Sequence, residues 1–153
     1  MGAFRFSPDS RQLAYFFDET TVLGHKDTST RFAMGEIFIT SFPDLTATRR
    51  ISTSGGCSPQ WRRDGRELFY LGPHAIVMAV GMPKGPHSEP GTPQKLFQPA
   101  MDDPGFCAAQ YAVTGDGKKF LVLEPVVNAS EQQTHIVAPW TSELRTSNGR
   151  KPN

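Results

Sequence analysis

Short apolar runs rich in aromatic and β-branched residues alternate along this chain with polar turns carrying Pro, Gly or Asp, and runs of that kind predict strands. A first set covers Phe4–Phe6, Gln12–Asp18, Gly35–Phe42 and Ala47–Ser52. A second covers Pro59–Trp61, Glu67–Leu71, Ile76–Val80 and Gln94–Gln98, and a third Gln110–Val113, Lys119–Leu123 and Thr134–Ala138, with no fourth member. The stretches 20–30, 82–91 and 128–133 between runs are polar or rich in Pro and Gly, without helical periodicity, and read as loops.

One pattern punctuates all three sets. Asp-(Ser/Gly)-(Arg/Lys)-x-(Leu/Phe) occurs at Asp9–Leu13, Asp64–Leu68 and Asp116–Phe120, separated by 55 and then 52 residues. Each copy follows an aromatic or β-branched residue (Phe6, Trp61, Val113) and precedes an apolar run, giving strand, tight turn, strand. The chemistry suits a turn: Pro presets φ, Asp bonds its own following amides, and Ser or Gly tolerates the tight geometry. Asp9, Ser10, Asp64, Gly65, Asp116 and Gly117 are therefore expected to be structural turn residues. They lie in separate units, which keeps the aspartates from acting as one catalytic carboxylate pair.

A repeat near 50 residues with several short strands per unit is the sequence form of a β-propeller blade. The expectation is an all-β chain, a partial β-propeller of about three four-stranded antiparallel blades (about 4–54, 57–99 and 107–141), the last incomplete. The domain would span 1–145, with 146–153 a polar flexible tail. Three blades leave two apolar blade faces open, so remaining propeller blades of a longer protein, or a second copy, are expected to cover them.

Phe6-Ser7-Pro8-Asp9-Ser10 resembles the aromatic-Ser-Pro-Asp-Gly turn of the TolB-like, WD40-like (PD40) propeller repeat, with Ser in place of Gly. Trp61-Arg62-Arg63-Asp64-Gly65 keeps the aromatic, Asp and Gly, and Val113-Thr114-Gly115-Asp116-Gly117 keeps a hydroxyl, Asp and Gly. Residues 65–71, 78–80, 91–97 and 117–122, with the ending Trp140-Thr141-Ser142-Glu143-Leu144, are similar to the C-terminal end of the propeller on bacterial membrane-anchored serine/threonine kinases. That resemblance implies a non-catalytic interaction or sensor module on the extracytoplasmic (periplasmic) side, the distal part of a kinase-linked or TolB-type propeller. The alternative is the gating propeller of a prolyl-oligopeptidase-like serine peptidase. The chain itself has neither kinase elements nor a Gly-x-Ser-x-Gly elbow, and no enzymatic activity is expected of it.

Charge narrows the partner classes. With 16 basic against 15 acidic side chains the net charge is +1, which gives no overall drive toward nucleic acid or an anionic membrane. No apolar run approaches the roughly 20 residues needed to span a bilayer. The N-terminus lacks a charged leader followed by an apolar segment, so no secretory signal is read there, and Phe6 stands where a myristoylation site wants Ser or Thr. The densest basic groups are Arg49-Arg50 and Arg62-Arg63-Arg66; if they share a rim, they could bind an acidic peptide or glycan.

The remaining candidates read structurally. His25, His74, His87 and His135 are scattered without metal-ligand spacing, so neither metal nor cofactor is expected. Ser7 and Ser58 precede Pro in turns, where their hydroxyls bond backbone. Cys57 and Cys107 sit at similar places in neighbouring units, farther apart than the Cα spacing of about 4.4–6.8 Å that a disulfide requires, and are expected to be buried thiols. Phe6, Tyr15, Phe38, Trp61, Tyr70, Phe120 and Trp140 are expected to pack blade against blade.

Overall fold

The computed structural model describes residues 4–17, 35–83, 89–100, 111–123 and 134–137, the last four by backbone alone. Cys107, His25, His87 and the Trp140–Leu144 ending lie outside the described residues. The strands are β1 (Phe4–Phe6), β2 (Gln12–Phe17), β3 (Glu36–Ser41), β4 (Arg49–Arg50), β5 (Cys57–Trp61), β6 (Glu67–Leu71), β7 (Val77–Gly81), β8 (Gln94–Phe97), β9 (Tyr111–Val113), β10 (Phe120–Leu123) and β11 (Thr134–Val137). A 3-10 turn, Pro73–Ala75, joins β6 to β7. Among the described residues no helix is long and apolar enough to cross a membrane.

The strands form three antiparallel sheets, β1-β2-β3-β4, β5-β6-β7-β8 and β9-β10-β11, each following chain order as a meander. The fourth strand of the first sheet is shorter than the expected Ala47–Ser52. Ser41 Oγ accepts the amides of Thr46 and Ala47 at 3.1 and 3.2 Å, which draws that segment into a turn before it can join the ladder. Beyond β4, the amides of Ile51 and Ser52 share one acceptor, Ile37 O, at 2.7 and 3.5 Å.

The three motif turns close in one way. Ser7 N, Arg62 N and Thr114 N donate to the carbonyls of Gln12, Glu67 and Lys119 at 2.8–2.9 Å. A second bond runs from the amide of Ser10, Gly65 or Gly117 to the carbonyl of Ser7, Arg62 or Thr114, again at 2.8–2.9 Å. The donor of that second bond takes a left-handed φ in every copy, 57° at Ser10, 70° at Gly65 and 72° at Gly117. Glycine suits this conformation because it has no Cβ to clash, and Ser10 bears the strain of keeping one.

Two apolar layers separate the three sheets. Between the first and second, Ala14, Ile37, Ile39 and Ile51 meet Leu68, Tyr70, Val80 and Met82. Between the second and third, Cys57, Phe69, Leu71, Val77, Ala79 and Phe97 meet Tyr111, Phe120 and Val122. Strand alternation explains the assignment: successive residues of β6 point to opposite faces, so Leu68 and Tyr70 serve one layer and Phe69 and Leu71 the other. The Phe120 ring meets Phe69 and Phe97 edge to face, both at 5.2 Å. Trp61 Nε1 donates to Arg5 O at 3.0 Å, Gln60 Nε2 to Tyr111 O at 2.6 Å, and Tyr111 Oη to Ser58 O at 2.9 Å, pinning neighbouring sheets together. Consecutive meander sheets stacked face on face make the chain an all-β partial propeller.

The expected packing role of the aromatics divides by position. Tyr70 and Phe120 are buried between blades, whereas Phe6 is 53% exposed and meets Phe42 edge to face, with no sheet among the described residues on that side of blade one.

Candidate functional site

The motif turns gather at one end of the sheets. Arg63 N donates to Gly115 O at 3.1 Å, tying turn two to turn three, and Gly65 lies so close to turn one that an added Cβ would sit 3.8 Å from Pro8 Cδ. The result is a rim of adjacent turns, one per blade.

Each motif aspartate is occupied locally. Asp9 Oδ1 accepts from Ser7 Oγ at 2.7 Å and from the Arg11 amide at 3.1 Å. Asp116 Oδ1 accepts from Thr114 Oγ1 at 2.5 Å and from the Lys118 amide at 3.0 Å. Asp64 Oδ1 accepts from the Arg66 amide at 3.0 Å. The Ser7 hydroxyl, then the Arg11 amide, hold Asp9 below the usual carboxylate range; the Thr114 hydroxyl and Lys118 amide do the same for Asp116. A carboxylate held ionised in this way is a poor proton acceptor near neutral pH.

Between blades one and two the rim opens into a cleft of about 680 Å³ lined by Asp9, Arg11, Arg49, Arg63, Asp64 and Met82, among others. A shallower groove between turns two and three, bordered by Arg62, Arg63, Asp116 and Lys119, continues from it. Arg63 borders both.

The two basic groups expected from the sequence meet here only in part. Arg49 reaches the cleft and pairs with Glu89 at 2.8 Å. Arg50 opposes Phe38 in the ladder while Arg49 opposes Ile39, so Arg50 faces the other side of the sheet, away from the cleft. Arg62 is held at 2.9 Å by Glu67, and its Nε, 3.4 Å from Asp64 Oδ1, is buried without a hydrogen-bond partner. Arg66 is exposed, 3.8 Å from Asp64 Oδ2. Arg63 and Arg11 both face the cleft, and neither takes part in an ion pair among the described residues. Arg11 escapes a search for clustered basic residues because it stands alone in the sequence. Its signal is its place in the repeat, at the third position of the motif that begins with Asp9.

Among the described residues no group of three or more His, Cys, Asp or Glu side chains could hold a metal ion. Cys57 is fully buried, with Sγ 4.0 Å from Ser58 Oγ, and its relation to Cys107 lies outside the described residues. The cleft's chemistry is that of guanidinium donors beside carboxylates already engaged.

No protein family and no curated protein matches the chain. Solved structures similar to it include a putative 6-phosphogluconolactonase from Bacteroides uniformis, at 15% identity and a TM-score of 0.48, over 89% of this chain and 40% of that one. Another is the β-propeller domain of the Trilobed protease from Pyrococcus furiosus, described as having an open velcro topology, at 15% identity and a TM-score of 0.47, over 88% of this chain and 39% of that one. The chain thus spans about two fifths of the length of either structure.

Proposed function

We propose that this chain is a non-catalytic interaction or sensor module, the distal part of a kinase-linked or TolB-type propeller, whose turn rim takes an acidic peptide segment from a partner protein. One observation carries the reading: Arg11 and Arg63 line the same cleft and neither is in an ion pair among the described residues, while the cleft's own carboxylates are engaged within their turns. A guanidinium presents a planar fork of donors that fits a carboxylate in two parallel hydrogen bonds, and two such forks favour a chain with spaced carboxylates. The resemblance of residues 65–71, 78–80, 91–97 and 117–122 and of the Trp140–Leu144 ending to the C-terminal end of kinase-linked propellers supports an extracytoplasmic setting and the distal place in a longer propeller. The low pKa of the turn aspartates fits a binding surface better than an acid–base site.

The test is fluorescence anisotropy of a labelled Glu-rich peptide against the whole chain. Arg11→Glu plus Arg63→Glu is expected to weaken binding by about tenfold or more, the equivalent of one lost charge-assisted pair. Arg62→Gln, at a residue already neutralised by Glu67, is expected to leave it within about twofold. Equal affinity of wild type and the double variant overturns the assignment.

A further inference from the structure

The cleft between blades one and two is the open end of an apolar layer. In β3, Ile39 lies opposite Ala14 in one neighbouring strand and Arg49 in the other, and residues opposite one another in a ladder share a face, so all three turn toward blade two. From blade two, the Met82 amide donates to Arg66 O at 2.7 Å and carries the β7 alternation one residue past Gly81. That puts Met82 on the same face as Val80, toward blade one. Ile39 and Met82 are 3% and 6% exposed, belong to the layer between these blades, and both line the cleft. They form its floor.

The wall above the floor keeps the same character. Half-buried Pro83 and Pro90 border the cleft, and Gly91 N donates to Gly81 O at 2.9 Å, which brings Pro90 back beside Met82. The groove between turns two and three differs: among the described residues only arginine, aspartate, lysine, threonine and glycine border it. An apolar floor with a few charged groups above it is the usual make-up of a site that encloses part of a ligand. The chain itself shows the pairing at work. Glu89 meets Arg49 at 2.8 Å while the next residue, Pro90, lines the cleft, so a carboxylate and an adjacent apolar ring are already accommodated there.

We infer that the cleft selects an acidic segment carrying a bulky aliphatic side chain between its carboxylates, the aliphatic group resting on Ile39 and Met82 and the carboxylates meeting Arg11 and Arg63. The inference rests on the acidic-peptide reading of the rim and adds what that segment contains besides charge. Arginines alone accept any acidic chain. Over this floor, an aliphatic side chain favours binding in proportion to the apolar area it covers. A polar side chain in the same place would give up its hydrogen bonds to water and find none on Ile39 or Met82.

Fluorescence anisotropy of two labelled peptides of equal charge against the whole chain tests this: a Glu-rich peptide with one central leucine, and the same peptide with glutamine in that place. Wild type is expected to bind the leucine peptide about tenfold more tightly. Met82→Gln is expected to bring the two affinities within about twofold of each other. Circular dichroism checks folding, and if Met82→Gln unfolds the chain, Pro83→Ser plus Pro90→Ser, at half-buried positions of the wall, replaces it. Arg11→Glu plus Arg63→Glu is expected to weaken both peptides alike. Equal affinity of the two peptides for wild type, with both weakened by the arginine variant, overturns the inference and leaves the acidic-peptide reading standing. A leucine preference that survives the floor or wall variant also overturns it, since the leucine then sits elsewhere. Affinities that the arginine variant does not change, or no binding of either peptide, overturn both.

Discussion

Phe69 of blade two and Leu121 of blade three hold the same place in the repeat, yet Phe69 is 1% exposed and Leu121 40%. The difference comes from the neighbour. Blade two has a sheet on either side and puts both faces of β6 to use, while among the described residues the flanking blades each have one side covered. In a stacked array a side chain's energetic worth is set as much by the next unit as by its own, and equivalent sequence positions can differ by several kcal/mol.

The largest expected effect tests that difference directly. Phe69→Ala removes a ring packed edge to face on Phe120 and is expected to cost about 3–5 kcal/mol in chemical denaturation. Leu121→Ala, measured at concentrations low enough to keep the chain monomeric, is expected to cost less than about 0.5 kcal/mol. Comparable losses at the two sites would mean that blade three's outer face is covered within a single chain.

A middle-sized effect compares the turns. A Cβ at Gly117 would lie 3.2 Å from both Phe69 Cζ and Arg62 Cδ and would force a side chain into a left-handed conformation, so Gly117→Ala is expected to destabilise by about 1–2 kcal/mol. Ser10→Gly should move the other way, by about 0.5 kcal/mol, since relief of strain outweighs the added flexibility of the unfolded chain. A thermal melt that shows Ser10→Gly destabilising would make the Ser10 side chain a working part of turn one.

The smallest effects separate interfaces from turns by pH. Burial pushes Tyr70 up to about 12 and raises Tyr111 well above its ordinary value. The unfolded chain releases these protons from about pH 10 while the folded chain keeps them, so stability falls as pH rises above about 10. Tyr111→Phe is expected to flatten that alkaline slope, at a cost of about 1 kcal/mol at neutral pH for the lost bond to Ser58 O. On the acid side Asp9 and Asp116 are depressed in the folded state. The unfolded chain therefore binds protons first, and stability is lost as pH falls below about 4. Asp116→Asn should flatten the acid limb and leave the alkaline one unchanged, as read from melting temperatures across pH.

The architecture was legible in the sequence because turn chemistry is local. Asp9, Asp64 and Asp116 bond amides two residues away, so a motif a few residues long marks the hairpin and its spacing marks the blade. Strand ends were legible to within a residue or two, but at β4 that error falls at both ends and leaves two of six expected residues in the ladder, because Ser41 captures the amides of a segment that alternation alone reads as strand. The rim was less legible. Adjacent arginines give two basic groups that could share a rim, but Arg49 and Arg50 point to opposite faces, and Glu67 and Asp64 offset Arg62. Arg11 and Arg63 come to line one cleft only because two turns about 50 residues apart pack side by side, a relation no local pattern contains. The bond from Tyr111 to Ser58 is hidden for the same reason.

The hydrogen bonds that join blades have one further consequence, for how such a chain changes over generations. Trp61 to Arg5, Gln60 to Tyr111 and Tyr111 to Ser58 span 56, 51 and 53 residues, each close to one repeat length. A gene duplication that copied one whole unit would insert a blade and leave each of these spans intact on either side. Deletion of the second unit would instead remove both side-chain donors, Trp61 and Gln60, and put Val113, which has none, in the place of Trp61. Blade number in this architecture is thus open to increase by a single recombination event, whereas an insertion of half a unit would break every bond that crosses it.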